Sequence, residues 1–248
     1  TPNPQPKEEP IPQSIQSVLA YMEEQSPTFA DDFSNPRSEW GGFENGYGLS
    51  GESHTQNISD VVFDGTLHVS TGRSLDLSFP QNGLFNAHNF VLEYDYEIEG
   101  LVTTSGLPFG IGFKLRASED LDSYYVFSVY PSMGHQGKSL WIYKRNGGWS
   151  DLDSSYEPMD IVSGTLRVIA YGEYFAFFLN DTLMSISKDG DFNGDSNYLY
   201  IPDKKINIIV KVDNVKFWDL DDVDLEVEEA TPTPTPTTES SSSSLEAG

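Results

Sequence analysis

The chain has 248 residues, enough for one all-β domain with flanking segments, and its 39 Asp and Glu against 14 Lys and Arg give a net charge of −25. That charge repels phosphate backbones and anionic bilayers, which excludes nucleic-acid binding, and no run of about 18 apolar residues is present for membrane insertion. There is no Cys, so disulfides and thiolate sites are excluded, while 13 Tyr, 15 Phe and 4 Trp are too much apolar mass for a disordered chain.

Residues 1–28 open with five prolines in the first twelve positions, which reads as extended linker, followed by a short amphipathic helix. Ile11, Ile15, Val18, Leu19 and Met22 recur at helical spacing, and Pro27 ends the pattern. The expectation is a helix packed on the edge of a domain that spans residues 29–220. Residues 221–248 are acidic and then Thr/Pro/Ser-rich. They offer little apolar surface to bury, and a disordered linker or tail is expected there. About half of the charge belongs to the flanks. Residues 219–248 carry nine acids and no Lys or Arg, and residues 1–28 carry four acids and Lys7, which leaves −13 for the middle.

The middle reads as β. In Phe90–Glu99, Leu92, Tyr94, Tyr96 and Ile98 alternate with Glu93, Asp95, Glu97 and Glu99. Strand-like runs start near Thr66, Ser74, Phe109, Tyr124, Ser139, Thr165, Tyr174, Thr182, Tyr198, Ile206 and Asn214. Asn45-Gly46, Asp64-Gly65, Asn82-Gly83, Asn146-Gly147 and Asn193-Gly194 supply turns between them. About a dozen short strands without intervening helices predict an antiparallel sandwich or barrel.

The order of these pieces resembles the concanavalin A-like jelly-roll modules of bacterial surface proteins, which are related to laminin-G-like lectin domains and to the 3-keto-disaccharide hydrolase domain. The resemblance is carried by Phe29-ADDFSNPRSEW, Gly65-TLHV, Phe90-VLEYDYEI, Phe109-GIGFKLRASEDLDSYYVFSV, Ser139-LWIYKRNGGWSDL, the segment from Gly164 to Asp195, and Val212-DNVKFWDL. It covers roughly residues 29–220. Asn180-Asp181 stands where the family has Asn-Gly, and Ser196-NYLYI replaces its usual Gly-Leu. The resemblance implies an all-β, antiparallel two-sheet jelly roll with one concave sheet. It implies no single function, because the fold serves lectins, hydrolases and adhesive spacers.

Three clusters are candidate sites. Period two places Glu93, Asp95 and Glu97 on one strand face, and an ExDxE strand resembles the catalytic strand of family-sixteen glycoside hydrolases. In that reading Glu93 is the nucleophile, Asp95 its orienter and Glu97 the acid/base. The Trp-Pro-x-x-Gly lead-in of that family is replaced here by His88-Asn89-Phe90. The alternative is a solvated acidic face. Asp189-Gly-Asp191-Phe-Asn193-Gly-Asp195 matches the first half of a Ca²⁺ loop, with short oxygen ligands at alternate positions, although Tyr200 stands where the bidentate Glu of a full loop belongs. The alternative is an acidic turn. Tyr124, Tyr130, Trp141, Tyr143 and Trp149 lie in consecutive strands and form a candidate sugar platform, on which a pyranose stacks its apolar face. Most of these rings are expected in the core, with one or two exposed on the concave sheet. Period two also places Lys114 and Arg116 together, opposite Phe113 and Leu115, where cross-strand pairing with Glu93 and Asp95 would follow if their strands were neighbours. The four histidines lack metal-ligand spacing.

The leading expectation is therefore an extracellular or cell-surface, non-catalytic module whose partner is a polysaccharide or cell-surface glycan, with ligand contacts from Glu93, Asp95, Lys114, Arg116, Tyr130 and Trp141 and with Ca²⁺ as the cofactor of the acidic loop. The alternatives are a glycoside hydrolase using Glu93 and Glu97, and a self-assembling structural subunit of a cell surface.

Overall fold

The computed structural model describes residues 10–34, 58–63, 67–71, 77–79, 83–99, 110–130, 138–155, 162–201 and 208–225. The proline-rich start, most of the Gly/Asn-rich stretch with Asn45-Gly46 and His54, the Asp64-Gly65 turn, His135 and the Thr/Pro/Ser-rich tail lie outside the described residues.

Two antiparallel sheets face each other. The first has the order β12 (Thr182–Lys188), β11 (Tyr174–Leu179), β10 (Ser163–Tyr171), β5 (Phe90–Glu99), β14 (Ile208–Asp219), β3 (Leu67–Thr71), β2 (Ile58–Phe63), with β1 (Phe29–Asp31) also paired to β14. The second has the order β4 (Leu77–Phe79), β13 (Ser196–Ile201), β6 (Ile111–Ala117), β7 (Ser123–Val129), β8 (Leu140–Asn146), β9 (Trp149–Ser155). Strand alternation builds the core between them. Leu92, Tyr94, Tyr96 and Ile98 of β5 meet Phe113, Leu115, Tyr125 and Phe127 of the second sheet, and all are buried. This is the sandwich that the strand pattern allowed and the jelly roll that the resemblance implied. At one edge Ser185 of β12 donates a hydrogen bond to Asp153 of β9, which ties the two sheets together.

The helix α1 (Gln13–Glu24) starts after Pro12 and ends at the extended Gln25. Ile15 and Val18 are fully buried against the outer face of the first sheet, in a cluster with Val91, Ile169, Ala176, Phe178, Trp218 and Leu220. The apolar stripe predicted from Ile11 to Met22 thus has a specific partner: apolar outward-pointing residues of β5, β10, β11 and β14 at this end of the sheet.

Four strand assignments differ from the sequence pattern, which contained neither β1 nor β2. The runs starting at Ile206 and Asn214 are one strand, β14. The junction between them, Asp213-Asn214, is an irregularity inside the strand, with Asn214 at φ 49° and a register shift between Asp213 and Lys216. β9 carries little strand signal of its own, since WSDLDSS is short of β-branched residues. It exists because β8 offers it a partner across the Asn146–Gly148 turn.

Candidate functional site

The outer face of the second sheet carries an aromatic and cationic surface. Antiparallel register sets it in rows. Tyr124 of β7 lies opposite Arg145 of β8, which lies opposite Trp149 of β9. In the next row Lys114, Val126, Tyr143 and Asp151 are successive partners, and beyond them Ser128 pairs with Trp141. The β8–β9 turn, with Gly147 at φ 64°, brings Arg145 and Trp149 face to face. Ring centroids lie 4.2 Å apart for Trp141–Tyr143, and 4.9 Å apart for Tyr143–Trp149 at an interplanar angle of 71°.

The cations on this face lie over rings. Lys114 is 3% exposed, with its ammonium 4.6 Å from the Tyr124 centroid and 4.8 Å from that of Tyr200. Lys138 lies 4.7 Å over Trp141 and pairs at 2.5 Å with Asp151 Oδ2, while the Trp141 indole Nε1 donates to Asp151 Oδ1 at 2.8 Å. Arg145 lies 5.0 Å over Trp149 and donates from Nη1 to Tyr124 Oη at 2.9 Å. That donation, with the attraction of nearby Tyr124, Tyr143 and Asp122, holds the guanidinium charged against the effect of burial. Tyr124, Tyr130 and Tyr143 are buried, Trp141 is half-buried, and Trp149 is 55% exposed. Tyr130 Oη accepts from Ser128 Oγ at 3.1 Å. The arrangement presents an exposed indole flanked by a guanidinium and a fixed carboxylate, on a base of rings held in place by packing.

Arg116 does not join Lys114 on this face. Its φ is 47°, and the pairing with β13 jumps from Ala117–Ser196 to Lys114–Tyr198, so the alternation that would align the two is broken. The guanidinium is buried at the end of the sandwich, lies over Phe175, and donates to the carbonyls of His88 (2.9 and 3.0 Å) and Gly172 (2.8 Å). Burial pushes its pKa down to about 10, with Tyr125 and Asp221 acting the other way.

β5 is not a neighbour of β6, because it lies in the other sheet. Glu93 pairs instead with the strands beside it. Its Oε2 accepts from Arg167 Nε (2.6 Å) and Nη2 (2.5 Å), and its Oε1 from Lys216 (2.8 Å). Asp95 accepts from Thr165 Oγ1 and from Asn214 Nδ2, and Glu97 lies 3.4 Å from Lys211. The three carboxylates share the outer face of the first sheet, as period two requires, and each is bonded across to β10 or β14.

The acidic loop closes on a lysine. Tyr125 Oη donates to Asp189 at 2.6 Å, and Lys144 Nζ donates to both Asp189 and Asp191. Burial works upward on the Asp189 carboxyl, but Lys144 and Tyr125 outweigh it and hold the pKa below the usual value. Asn193 lines a cleft, and the Asp195 carbonyl accepts from Ala87 N at 3.0 Å. Among the described residues no group of three or more His, Asp or Glu side chains is arranged to hold a metal ion.

Sequence reasoning missed Lys138, Arg145 and Asp151. The one available signal was Trp149-x-Asp151, which period two puts on a single face beside the aromatic strand before the turn.

No protein-family model matches the sequence, and no curated protein matches it. Solved structures do match in fold. The β-glucanase of Bacillus licheniformis is 9% identical with a TM-score of 0.54, covering 79% of this chain and 99% of its own. A Bacillus subtilis protein of unknown function with a galectin-like fold is 10% identical with a TM-score of 0.54, covering 79% and 96%. LamAcat from Zobellia galactanivorans is 12% identical with a TM-score of 0.50, covering 79% and 98%. The chain has the concanavalin A-like jelly-roll fold.

Proposed function

We propose that the chain is a non-catalytic, glycan-binding module of the extracellular space or cell surface, and that it binds neutral polysaccharide through the outer face of the β7–β9 strands. The exposed indole of Trp149, packed on Tyr143 and flanked by Arg145 and Asp151, carries this reading. A pyranose stacks its C–H face on such a ring, and the guanidinium and carboxylate beside it bond to hydroxyls. The net charge of −25 disfavours a polyanionic ligand. The acidic and Thr/Pro/Ser-rich flanks support a surface or secreted setting, where such segments act as spacers. Catalysis by Glu93 and Glu97 has no comparable support, because Glu93 is ion-paired through both oxygens to Arg167 and Lys216 and Glu97 to Lys211, as in a charged row of a sheet face.

The test is binding to a panel of immobilised neutral polysaccharides. Trp149→Ala is expected to weaken binding at least about tenfold, a loss near 1.4 kcal/mol. Glu93→Gln and Glu97→Gln should bind like the parent. Turnover of a β-glucan that disappears in those two variants would establish a glycosidase instead.

A further inference from the structure

A cleft of about 390 Å³ opens at one end of the second sheet, lined by Arg116, Ser118, Ser123, Asn146, Asp191 and Asn193 together with Phe192 and Gly194. Three connections bound it: the β6–β7 hairpin, the β8–β9 turn and the segment between β12 and β13. Each is fixed from within. Ser118 Oγ donates to Asp120 Oδ1 at 2.7 Å and accepts from Ser123 N at 3.0 Å. Tyr125 Oη, which donates to Asp189, accepts from Phe192 N at 3.1 Å. Asn197 donates from Nδ2 to the carbonyls of Phe85, Ala87 and Asp195, and its Oδ1 accepts from Arg116 N. Gly194 lies so close to β6 that a Cβ would stand 2.2 Å from the Ala117 carbonyl oxygen.

The charges at the cleft are already answered, Asp191 by Lys144 and Arg116 by two backbone carbonyls. The side-chain amides of Asn146 and Asn193 are exposed and make no hydrogen bond among the described residues. An amide both donates and accepts, as a sugar hydroxyl does, so fixed walls with free amides and no net charge suit a neutral polyol rather than an ion. The cleft and the aromatic face meet at the tip of the β8–β9 hairpin, on opposite sides of the sheet. Asn146 pairs with Ser123 in register, while the adjoining residues Tyr124, Arg145 and Trp149 face the opposite side of the sheet, so a glycan chain leaving the cleft passes over the tip of the β8–β9 hairpin to reach Trp149.

We propose that this cleft is a second sugar subsite, which takes one hexose of a neutral glycan whose following units rest on Trp149; the proposal rests on the glycan-binding reading above. The experiment is calorimetric titration of the protein with ladders of laminari-, cello- and galacto-oligosaccharides of two to six units, repeated with Asn146→Ala/Asn193→Ala and with Trp149→Ala. For the wild type, affinity should rise with length. In the double variant that dependence should flatten, with the longest ligand weakened about tenfold, while Trp149→Ala weakens every length. In the wild-type protein the side-chain amide NMR signals of Asn146 and Asn193 should shift when the hexasaccharide is added, a readout that needs no variant to fold. A ladder weakened by Trp149→Ala but unchanged in the double variant, or unshifted amide signals on saturation, overturns the cleft and leaves the glycan-binding reading standing. A wild-type protein that binds none of the ladders overturns both.

Discussion

The carboxylates of the first sheet show how environment assigns different roles to the same residue type. Glu93 is 6% exposed and stands between Arg167 and Lys216, so its charge is answered on both sides. Glu93→Gln removes the anion and leaves the two cations facing a neutral amide. Urea unfolding should show a loss of about 1–3 kcal/mol, with glycan binding unchanged. Asp213 is the opposite case. Burial raises its pKa, and the nearby Asp95, Asp32 and Asp31 raise it further, against a bond from Asn214 N. Its native pKa is above its unfolded one, so its contribution to stability is present in acid and is lost as pH rises through the native value. Asp213→Asn should therefore raise the melting temperature at pH 7 by about 2 °C, and the advantage should vanish below pH about 4. An advantage that persisted in acid would mean that the ionised side chain is not its source.

Elements of regular structure were legible where one face alone is apolar. β5 is the clearest case, with observed bounds that coincide with the alternating run from Phe90 to Glu99. Single residues of positive φ were harder to read. Arg116 and Asn214 each break the period, and nothing in the one-dimensional pattern marks an arginine as the residue that turns. The same limit applies to the site. Trp141 and Trp149 stood out by type, but Asp151 meets Tyr143 only through the register that the Asn146–Gly148 turn sets, in a strand with little signal of its own. Lys138 joins Asp151 from the residues before β8, a contact between distant positions that spacing does not encode. α1 was legible as a helix, but its seat was not, because the residues under it come from four distant strands. That seat predicts a cost. Ile15→Ala leaves a cavity against the first sheet and should lower stability by about 2–4 kcal/mol, read from chemical denaturation, while leaving glycan binding intact.

For the whole molecule, the two sheets divide the work. The first sheet has its outer face taken up by α1 at one end and by ion pairs along β5, β10 and β14. The second presents the exposed Trp149 and the cleft beside it. The fold was legible from the order of its strands, but this division was not, since it depends on which outward faces remain open once the helix and the charged rows are in place. The described ends of the chain converge on the first sheet, where Ile11 near the start and Val223 and Leu225 near the finish pack in one cluster with Val18 and Trp218. Trp218 Nε1 donates to the Gln25 carbonyl at 3.1 Å, and Asp219 N to Thr28 Oγ1 at 3.0 Å. A tensile load applied between those two ends would enter and leave through adjacent points, and would peel α1 from the first sheet before it reached β8 or β9. The strands that carry Trp149 and the cleft would bear none of that force, so tension between the two ends would leave the proposed site unstrained.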